Sequence, residues 1–431
     1  MRLLTFTTLY PSAERPNHGV FVENRLRHLV ASHPVTSTVL APVPWFPSGS
    51  PRFGDWARHA RVPLHEVRHG LQVHHPRYPL LPKVGMRAAP WLLYQSSLRA
   101  VRRLMAAGQR FDAVDAHYLY PEGVAAAWLG RRLGLPVVMT ARGSDVTQIA
   151  EIPGPRRRIA AAVQAAAGVI TVSAALRDGV LALGAAPDRV RVLRNGVDLD
   201  GFRSPGDRRA ARRALGLVRP TLIQVGHLIA RKGQALTLRA LALLPDWELL
   251  VVGEGPDRPM LEALVQELGL GGRVRLLGAR PHAELASLYG AADAMVLASS
   301  REGWANVLLE SMACGTPVVA SDIPGNPEVV QSRDAGLIVP RTPEGIAAGV
   351  RDLAAAPPDR AATRAYAERF GWAETSAGQY ALFRAAVAAH AAAGGAGNGT
   401  AGAGNAEVGG GGERGAENGR AAQDSTMQGA A

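Results

Sequence analysis

The chain of 431 residues contains one cysteine, Cys314, two lysines, Lys83 and Lys232, and only 5% aromatic residues. A lone cysteine excludes an internal disulfide and points to a cytoplasmic setting. No stretch supplies 18 or more uncharged apolar residues, which argues against a membrane-spanning helix. The opening run from Met1 to Pro11 has no long apolar core followed by a small-residue cleavage site, so no secretory leader is expected. No compact Asp-x-Asp or His-rich cluster is read as compelling a metal site, and neither zinc-finger spacing nor an arginine-rich low-complexity arm supports nucleic acid as a partner.

What is present is arginine. Of 48 basic residues all but two are Arg, against 36 acidic residues, for a formal charge of +12. Such a balance attracts anions generally, whether anionic lipid or phosphorylated metabolites. The 47% hydrophobic content excludes wholesale disorder and suffices for two separate cores. Residues 391–431 differ from the rest, being rich in Ala, Gly and Asn; two Arg against four acidic residues give this tail −2 and leave +14 on the remainder. A segment with so little to bury is expected to be disordered, and the folded part is expected to end near residue 390.

Short apolar runs alternate with helical sequence along the first 200 residues. Strands are expected over Arg2 to Thr7, Val35 to Leu40, Leu71 to His75, Ala113 to Ala116, Val137 to Thr140, Val169 to Val172 and Val190 to Leu193, with a helix over Val22 to Ala31. The Pro-rich stretch from Pro42 to Pro82 reads as a long irregular excursion holding one strand. A second cycle gives strands over Thr221 to Val225, Glu248 to Val252, Arg275 to Leu277, Ala294 to Ala298 and Pro317 to Ala320. This rhythm predicts an α/β protein with two Rossmann-like domains, over 1–200 and 201–370. Their hinge should lie between Asn195 and Pro205, and a late helix, 371–390, should return to the first domain.

The most informative segment runs from Ser300 to Ser321. Asn306 to Cys314 has helical spacing, stopped by Gly315 and Pro317, with Leu308, Leu309, Met312 and Ala313 toward the sheet and Asn306 and Glu310 on the other face. Glu302 falls in the preceding loop, near the free N–H groups of a helix start. One carboxylate can meet a reacting group while the other accepts hydrogen bonds from a polyol. Earlier, Val225 to Gly233 follows a strand and places Arg231 and Lys232 at its C-terminal edge, where open α/β sheets bind ligands. Gly253 and Gly255 follow another strand and admit close backbone approach, although one such pair is not a dinucleotide fingerprint.

These pieces together resemble the retaining, nucleotide-sugar-dependent glycosyltransferases of family 4, which have the GT-B fold of two Rossmann-like domains facing across a cleft. The resemblance spans about residues 1–385. It rests on Glu302 and Glu310 with seven residues between them, on Arg231-Lys232-Gly233, Gly253-Glu254-Gly255 and Asn195-Gly196-Val197-Asp198, and on Gly315 to Ala320. It implies that Lys232 contacts the donor diphosphate, that Glu302 lies by the donor sugar, that Glu310 holds the ribose, and that Gly303, Asn306 and Val307 complete these contacts. The base would lie near Gly278 to Arg280. Arg usually stands where this chain has His227, which leaves either a protonated His227 or Arg231 to supply that charge.

In the first domain, Gly19 resembles the glycine that approaches the donor phosphate, and His117 a histidine beside the transferred sugar. Arg142 stands where many relatives have histidine; with Asp145 and Ser173 it is a candidate contact for an acceptor or a phosphate, Asp145 and Ser173 reading equally as caps. The resemblance further implies a nucleotide diphosphate sugar as donor, no metal, and a glycan or lipid-linked carbohydrate as acceptor. A basic amphipathic helix over Arg87 to Met105 would allow peripheral contact with anionic membrane at the inner face of the cell membrane. Ordinary packing explains the same pattern. A nucleotide-sugar epimerase, a phosphorylase and a non-catalytic nucleotide-sugar-binding protein remain alternatives.

Overall fold

A computed structural model describes residues 1–80, 85–204 and 206–397, with side chains through residue 393. Among these, ten strands precede residue 200: β1 (Arg2–Phe6), β2 (Thr36–Leu40), β3 (Val43–Pro44), β4 (His65–Arg68), β5 (Leu71–His74), β6 (Arg77–Tyr78), β7 (Ala113–His117), β8 (Val137–Ala141), β9 (Gly168–Thr171) and β10 (Val190–Val192). Eight form a sheet ordered β10-β9-β8-β7-β1-β2-β5-β4, and β3 pairs with β6. The second sheet is built from β11 (Thr221–Val225), β12 (Glu248–Val252), β13 (Val274–Gly278), β14 (Ala294–Leu297), β15 (Val318–Ser321) and β16 (Gly336–Val339), ordered β13-β12-β11-β14-β15-β16. Both sheets are parallel except where β4 runs against β5.

The sequence explains why these strands are central. β8, β9, β11 and β12 are buried at every position, as parallel strands covered by helices on both faces must be. The two Rossmann-like domains expected from the alternating pattern are therefore present. Among its parallel strands each sheet reverses its order once. The first does so between β1 and β7, and the second between β11 and β14. A crevice opens at the carboxyl ends of strands at such a switch point, so four loops, those following β1, β7, β11 and β14, are placed to meet a ligand.

Three expectations need correction. The stretch 42–80 is not irregular with one strand; it contributes β3 to β6 and a helix at Asp55–Arg61. β4 escaped notice because it is a polar edge strand with no buried position. β16 was missed as well, although Leu337, Ile338 and Val339 form a short apolar run; it opens with Gly336, where a Cβ would lie 1.9 Å from the Val318 carbonyl oxygen, so the strand begins at a close approach. Finally, the last helix runs from Trp372 to Gly397, beyond the end expected near residue 390. The remainder of the tail, 398–431, lies outside the described residues.

That last helix lies on the first sheet, with Phe383 and Ala386 packed among Leu3, Leu29, Val138 and Ile170. The helix Gly85–Ala106 turns Leu92, Leu93, Leu98 and Val101 into the first core, leaving Arg87, Trp91, Arg99, Arg102 and Arg103 exposed. Most of the apolar face considered for a membrane is thus occupied by the domain itself. Among the described residues no helix is long and apolar enough to cross a membrane. Phe383→Ala should destabilise the first domain by about 3–5 kcal/mol through the cavity it leaves. A lower urea midpoint with an unchanged slope is the expected readout.

Candidate donor site and the interdomain network

The loops after β11 and β14 meet over the second switch point. Lys232 closes a short turn, Ala230–Lys232, and Gly233 follows at φ 72°, where a Cβ would lie 2.1 Å from the Ala298 carbonyl oxygen. That close approach draws the turn against the end of β14. Lys232 Nζ donates to Glu302 Oε1 at 2.8 Å, and Arg231 Nη1 lies 3.7 Å from Glu302 Oε2. Burial opposes the charge on Glu302, yet Lys232 and Arg231 outweigh it and hold the carboxyl below its ordinary value. His227 is pulled the other way: burial, then Lys232 and Arg231, keep it below its ordinary value and hence neutral near pH 7. Of the two residues considered for that positive charge, Arg231 is the one that lies charged beside Glu302.

Further along, the helix Asn306–Ala313 starts with no side-chain cap, and Leu308, Leu309, Met312 and Ala313 are buried beneath it. Its first-turn N–H groups, that of Val307 among them, are accordingly uncapped by any side chain. Glu310 Oε2 accepts from the Tyr289 hydroxyl at 3.2 Å, while His282 Nε2 lies 3.4 Å from Oε1. Burial opposes a charge on His282, but Glu310 raises its pKa overall. Neither partner of Glu310 was foreseen; no local pattern marks them, because they come from a helix 21 and 28 positions earlier.

Other expected donor residues have packing roles here. A Cβ on Gly253 would lie 2.0 Å from the Gly226 carbonyl oxygen, and one on Gly255 2.3 Å from that of Leu228. Both glycines let the loops after β11 and β12 touch each other, rather than admitting a ligand at the missing Cβ. Gly278 ends β13 at φ 71°. Arg280 is exposed and faces Glu284 at 3.7 Å, one turn along.

In the first domain, Gly19 sits at φ 71° before the helix Val20–Ser32, against the Leu9 backbone. His117 ends β7 fully buried. Its Nε2 lies 3.1 Å from Asp115 Oδ2, and Arg142 Nη2 donates to its Nδ1 at 2.7 Å. A guanidinium only donates, so Nδ1 accepts and Nε2 carries the proton toward Asp115. Burial, with Arg142, lowers the histidine's pKa despite Asp115, which agrees with that neutral form. The side chain expected beside the sugar thus has both ring nitrogens engaged. Arg142 is held too, over the Phe21 ring and on Asn195 Oδ1 at 3.2 Å.

Two candidate acceptor contacts are engaged within the protein. Asp145 is buried and accepts backbone N–H groups of Leu119, Arg142, Gly143 and Val146, so it fastens the loop after β8. Ser173 caps the helix Ala174–Leu181 through the Leu176 N–H. The N–H groups of Ala174 and Ala175 already donate to Glu328 of the second domain, at 2.9 and 3.0 Å. A phosphate there would have to displace a carboxylate.

The two lobes meet through an apolar cluster holding Val172, Leu176, Val329 and Val330, and through polar and glycine contacts. Gly143 and Gly303 touch: a Cβ on Gly303 would fall 1.8 Å from the Arg142 carbonyl oxygen. Asn195, between the lobes, accepts from Arg25 and Arg142 and donates to Asn306 Oδ1 at 3.2 Å. Sequence reading also passed over Glu122, a buried carboxyl bonded to the Thr8 hydroxyl and pushed by burial up to about 7. It passed over an Asp-x-Asp spacing as well, Asp198 to Asp200. There Asp198 accepts the N–H groups of Asp200 and Gly201 in a turn, and Asp200 pairs with Arg203. Among the described residues no group of three or more His, Cys, Asp or Glu side chains is arranged to hold a metal ion.

Comparison with known proteins agrees with this architecture. Residues 19–201 match the model of Glycosyltransferase Family 4, and residues 207–370 that of Glycosyl transferases group 1. The chain is 34% identical over 354 residues to D-inositol 3-phosphate glycosyltransferase 1 of Catenulispora acidiphila, covering 75% of this chain and 83% of that one. It is 35% identical over 302 residues to a D-inositol 3-phosphate glycosyltransferase of Mycobacterium bovis, covering 64% and 62%. Sucrose-phosphate synthase of Thermosynechococcus elongatus superposes with a TM-score of 0.73 at 22% identity, covering 90% of this chain and 99% of that one. HepE of Anabaena, in complex with UDP, superposes with 0.66 at 20% identity, covering 89% and 100%. This chain belongs to the GT-B-fold glycosyltransferases of the family 4 and group 1 type. Gly303→Ala, by pushing the lobes apart at Arg142, should lower turnover about 100-fold, the scale of an ångström-sized misplacement of reacting groups. Steady-state rates at saturating substrates provide the check.

Proposed function

We propose that this protein transfers a sugar from a nucleotide diphosphate sugar to a glycan or lipid-linked carbohydrate, with retention at the anomeric carbon and without a metal. The observation that carries this reading is the largely buried Lys232–Glu302 pair, 2.8 Å apart, formed by the two loops that flank the second switch point. In the reaction Lys232 and Arg231 take the charge of the departing diphosphate, helped by the uncapped start of the Asn306–Ala313 helix. Glu302 lies against the sugar and Glu310 against the ribose. The anomeric carbon's bond to the phosphate oxygen breaks as its bond to the acceptor oxygen forms on the same face. The acceptor proton passes to the leaving phosphate. That route fits a His117 whose ring nitrogens are both engaged and cannot serve as base.

Relatives named D-inositol 3-phosphate glycosyltransferases favour a phosphorylated polyol as a second acceptor class. A lipid-linked acceptor would place the enzyme at the inner face of the cell membrane, with exposed Trp91 and the arginines of its helix toward anionic lipid.

The test is a panel of UDP-, GDP- and ADP-sugars against soluble glycans, inositol phosphate and lipid-linked glycans in anionic liposomes, detecting mass transfer and released nucleoside diphosphate together. A glycoside plus nucleoside diphosphate is expected. Sugar conversion without acceptor, or consumption of phosphate, would identify an epimerase or a phosphorylase; donor binding with no product throughout would indicate a binding protein. Glu302→Gln should cost at least about 100-fold in turnover, as loss of a preorganised electrostatic contact does. Unchanged turnover at saturating substrates would reject its role.

A further inference from the structure

Asn195 is the residue at which three parts of the molecule meet. It is buried, directly after β10, where the chain leaves the first domain. Its Oδ1 accepts from Arg25 Nη1 at 3.1 Å and from Arg142 Nη1 at 3.2 Å. Its Nδ2 donates to Asn306 Oδ1 at 3.2 Å, and its backbone carbonyl accepts from Trp304 Nε1 at 3.1 Å. Trp304 and Asn306 belong to the loop and helix that follow Glu302.

Amide orientations are ordinarily ambiguous, because oxygen and nitrogen look alike. Here chemistry removes the ambiguity. A guanidinium has five N–H donors and no acceptor, so the atom of Asn195 facing both arginines must be its oxygen. Arg25 cannot turn away: it is fully buried and held by Gln379 Oε1 and the Leu193 carbonyl, both at 3.1 Å. The Asn195 nitrogen therefore points at Asn306, and the atom of Asn306 that meets it must be an oxygen. This leaves the Asn306 amide nitrogen as its outward end. Asn306 is partly exposed and lines the cleft between the lobes together with Glu310, in the uncapped first turn of its helix.

We propose that Asn195 is a positioning residue for donor binding: anchored by Arg25 and Arg142, it fixes the amide of Asn306 so that an N–H donor, not a carbonyl, faces the donor's diphosphate. This rests on the donor-site reading above and goes beyond it. Specificity for an anion on the second domain is set by two cations of the first, Arg25 buried and Arg142 half-buried. The relay exists only when the lobes are together, so the donor site is complete only in the closed molecule.

The discriminating variant is Asn195→Asp. An ionised carboxylate keeps both arginines satisfied, yet it can only accept from Asn306. The Asn306 amide must then reverse, turning its carbonyl toward the diphosphate. Binding would be measured by titration calorimetry with UDP, GDP and ADP, using whichever the wild type takes. Asn195→Asp should melt like the wild type and bind that nucleotide at least about tenfold more weakly. Asn306→Ala should weaken binding as well, and Asn195→Asp added to Asn306→Ala should bind no worse than Asn306→Ala alone, since both act through one amide. Losses that multiply in the double variant, or wild-type affinity in Asn195→Asp, would overturn the relay. If Asn195→Asp does not fold, Asn306→Asp keeps the test: it presents an acceptor on both sides and should bind more weakly than Asn306→Ala, and equal or tighter binding would overturn the relay. Should the wild type bind none of the three nucleotides, the donor-site reading beneath it falls first.

Discussion

The cleft depends on one carboxylate keeping its charge while nearly buried. Glu302 has a side chain only 9% exposed, and an isolated ion so placed would neutralise itself. Lys232 and Arg231 prevent that, and the sequence provides few substitutes, since Lys232 is the sole lysine among the described residues. The geometry of two loops follows. The turn carrying Lys232 must reach β14, which the glycine at position 233 permits, and the loop carrying Glu302 must pass close to the first domain, which Gly303 and Gly143 permit. On the function proposed above, the ion pair is a stand-in: a donor diphosphate would offer Lys232 a better-charged partner and release Glu302 toward a sugar.

The lobes share an apolar contact, in which Val172 and Leu176 join Trp304, Val329 and Val330, and polar groups add the contacts that fix the register at the site. Glu328 reaches the helix Ala174–Leu181 and pairs with Arg194 at 2.8 Å. Arg25 and Arg142 reach the donor helix through Asn195, and the Trp304 indole joins the same residue. Each such bond is worth little net, while leaving one of these buried groups unpaired costs more. Closure of this kind is specific in register yet weak enough to open, as an enzyme that must admit two substrates requires.

The sheets were legible because central parallel strands are buried throughout and mainly apolar: Thr221 to Val225 and Glu248 to Val252 are seen at the bounds expected. β4 and β16 were not: one is a polar edge, and the other is a four-residue run, Gly336–Val339, that opens with a glycine against its neighbour. At the site, Lys232 and Glu302 are brought together as their spacing to strand ends suggested. Spacing is silent on partners supplied from afar. Tyr289 and His282 reach Glu310 through the packing of two helices, and Arg25 reaches Gln379 across 354 positions. Asp145 and Ser173 looked like ligand contacts because capping residues and ligand-binding residues share one chemistry at strand-to-helix edges, and only the positions of the neighbouring N–H groups separate the two.

The scarcity of lysine makes the central claim directly measurable. Protein labelled with ¹³C only in lysine should show two side-chain Cε signals, from Lys83 and Lys232, and Lys232→Arg assigns them by removing one. On saturation with the nucleoside diphosphate that the protein binds, the Lys232 signal should move as its partner changes from carboxylate to phosphate, while the Lys83 signal stays. A Lys232 signal unmoved by a bound nucleotide would contradict the account.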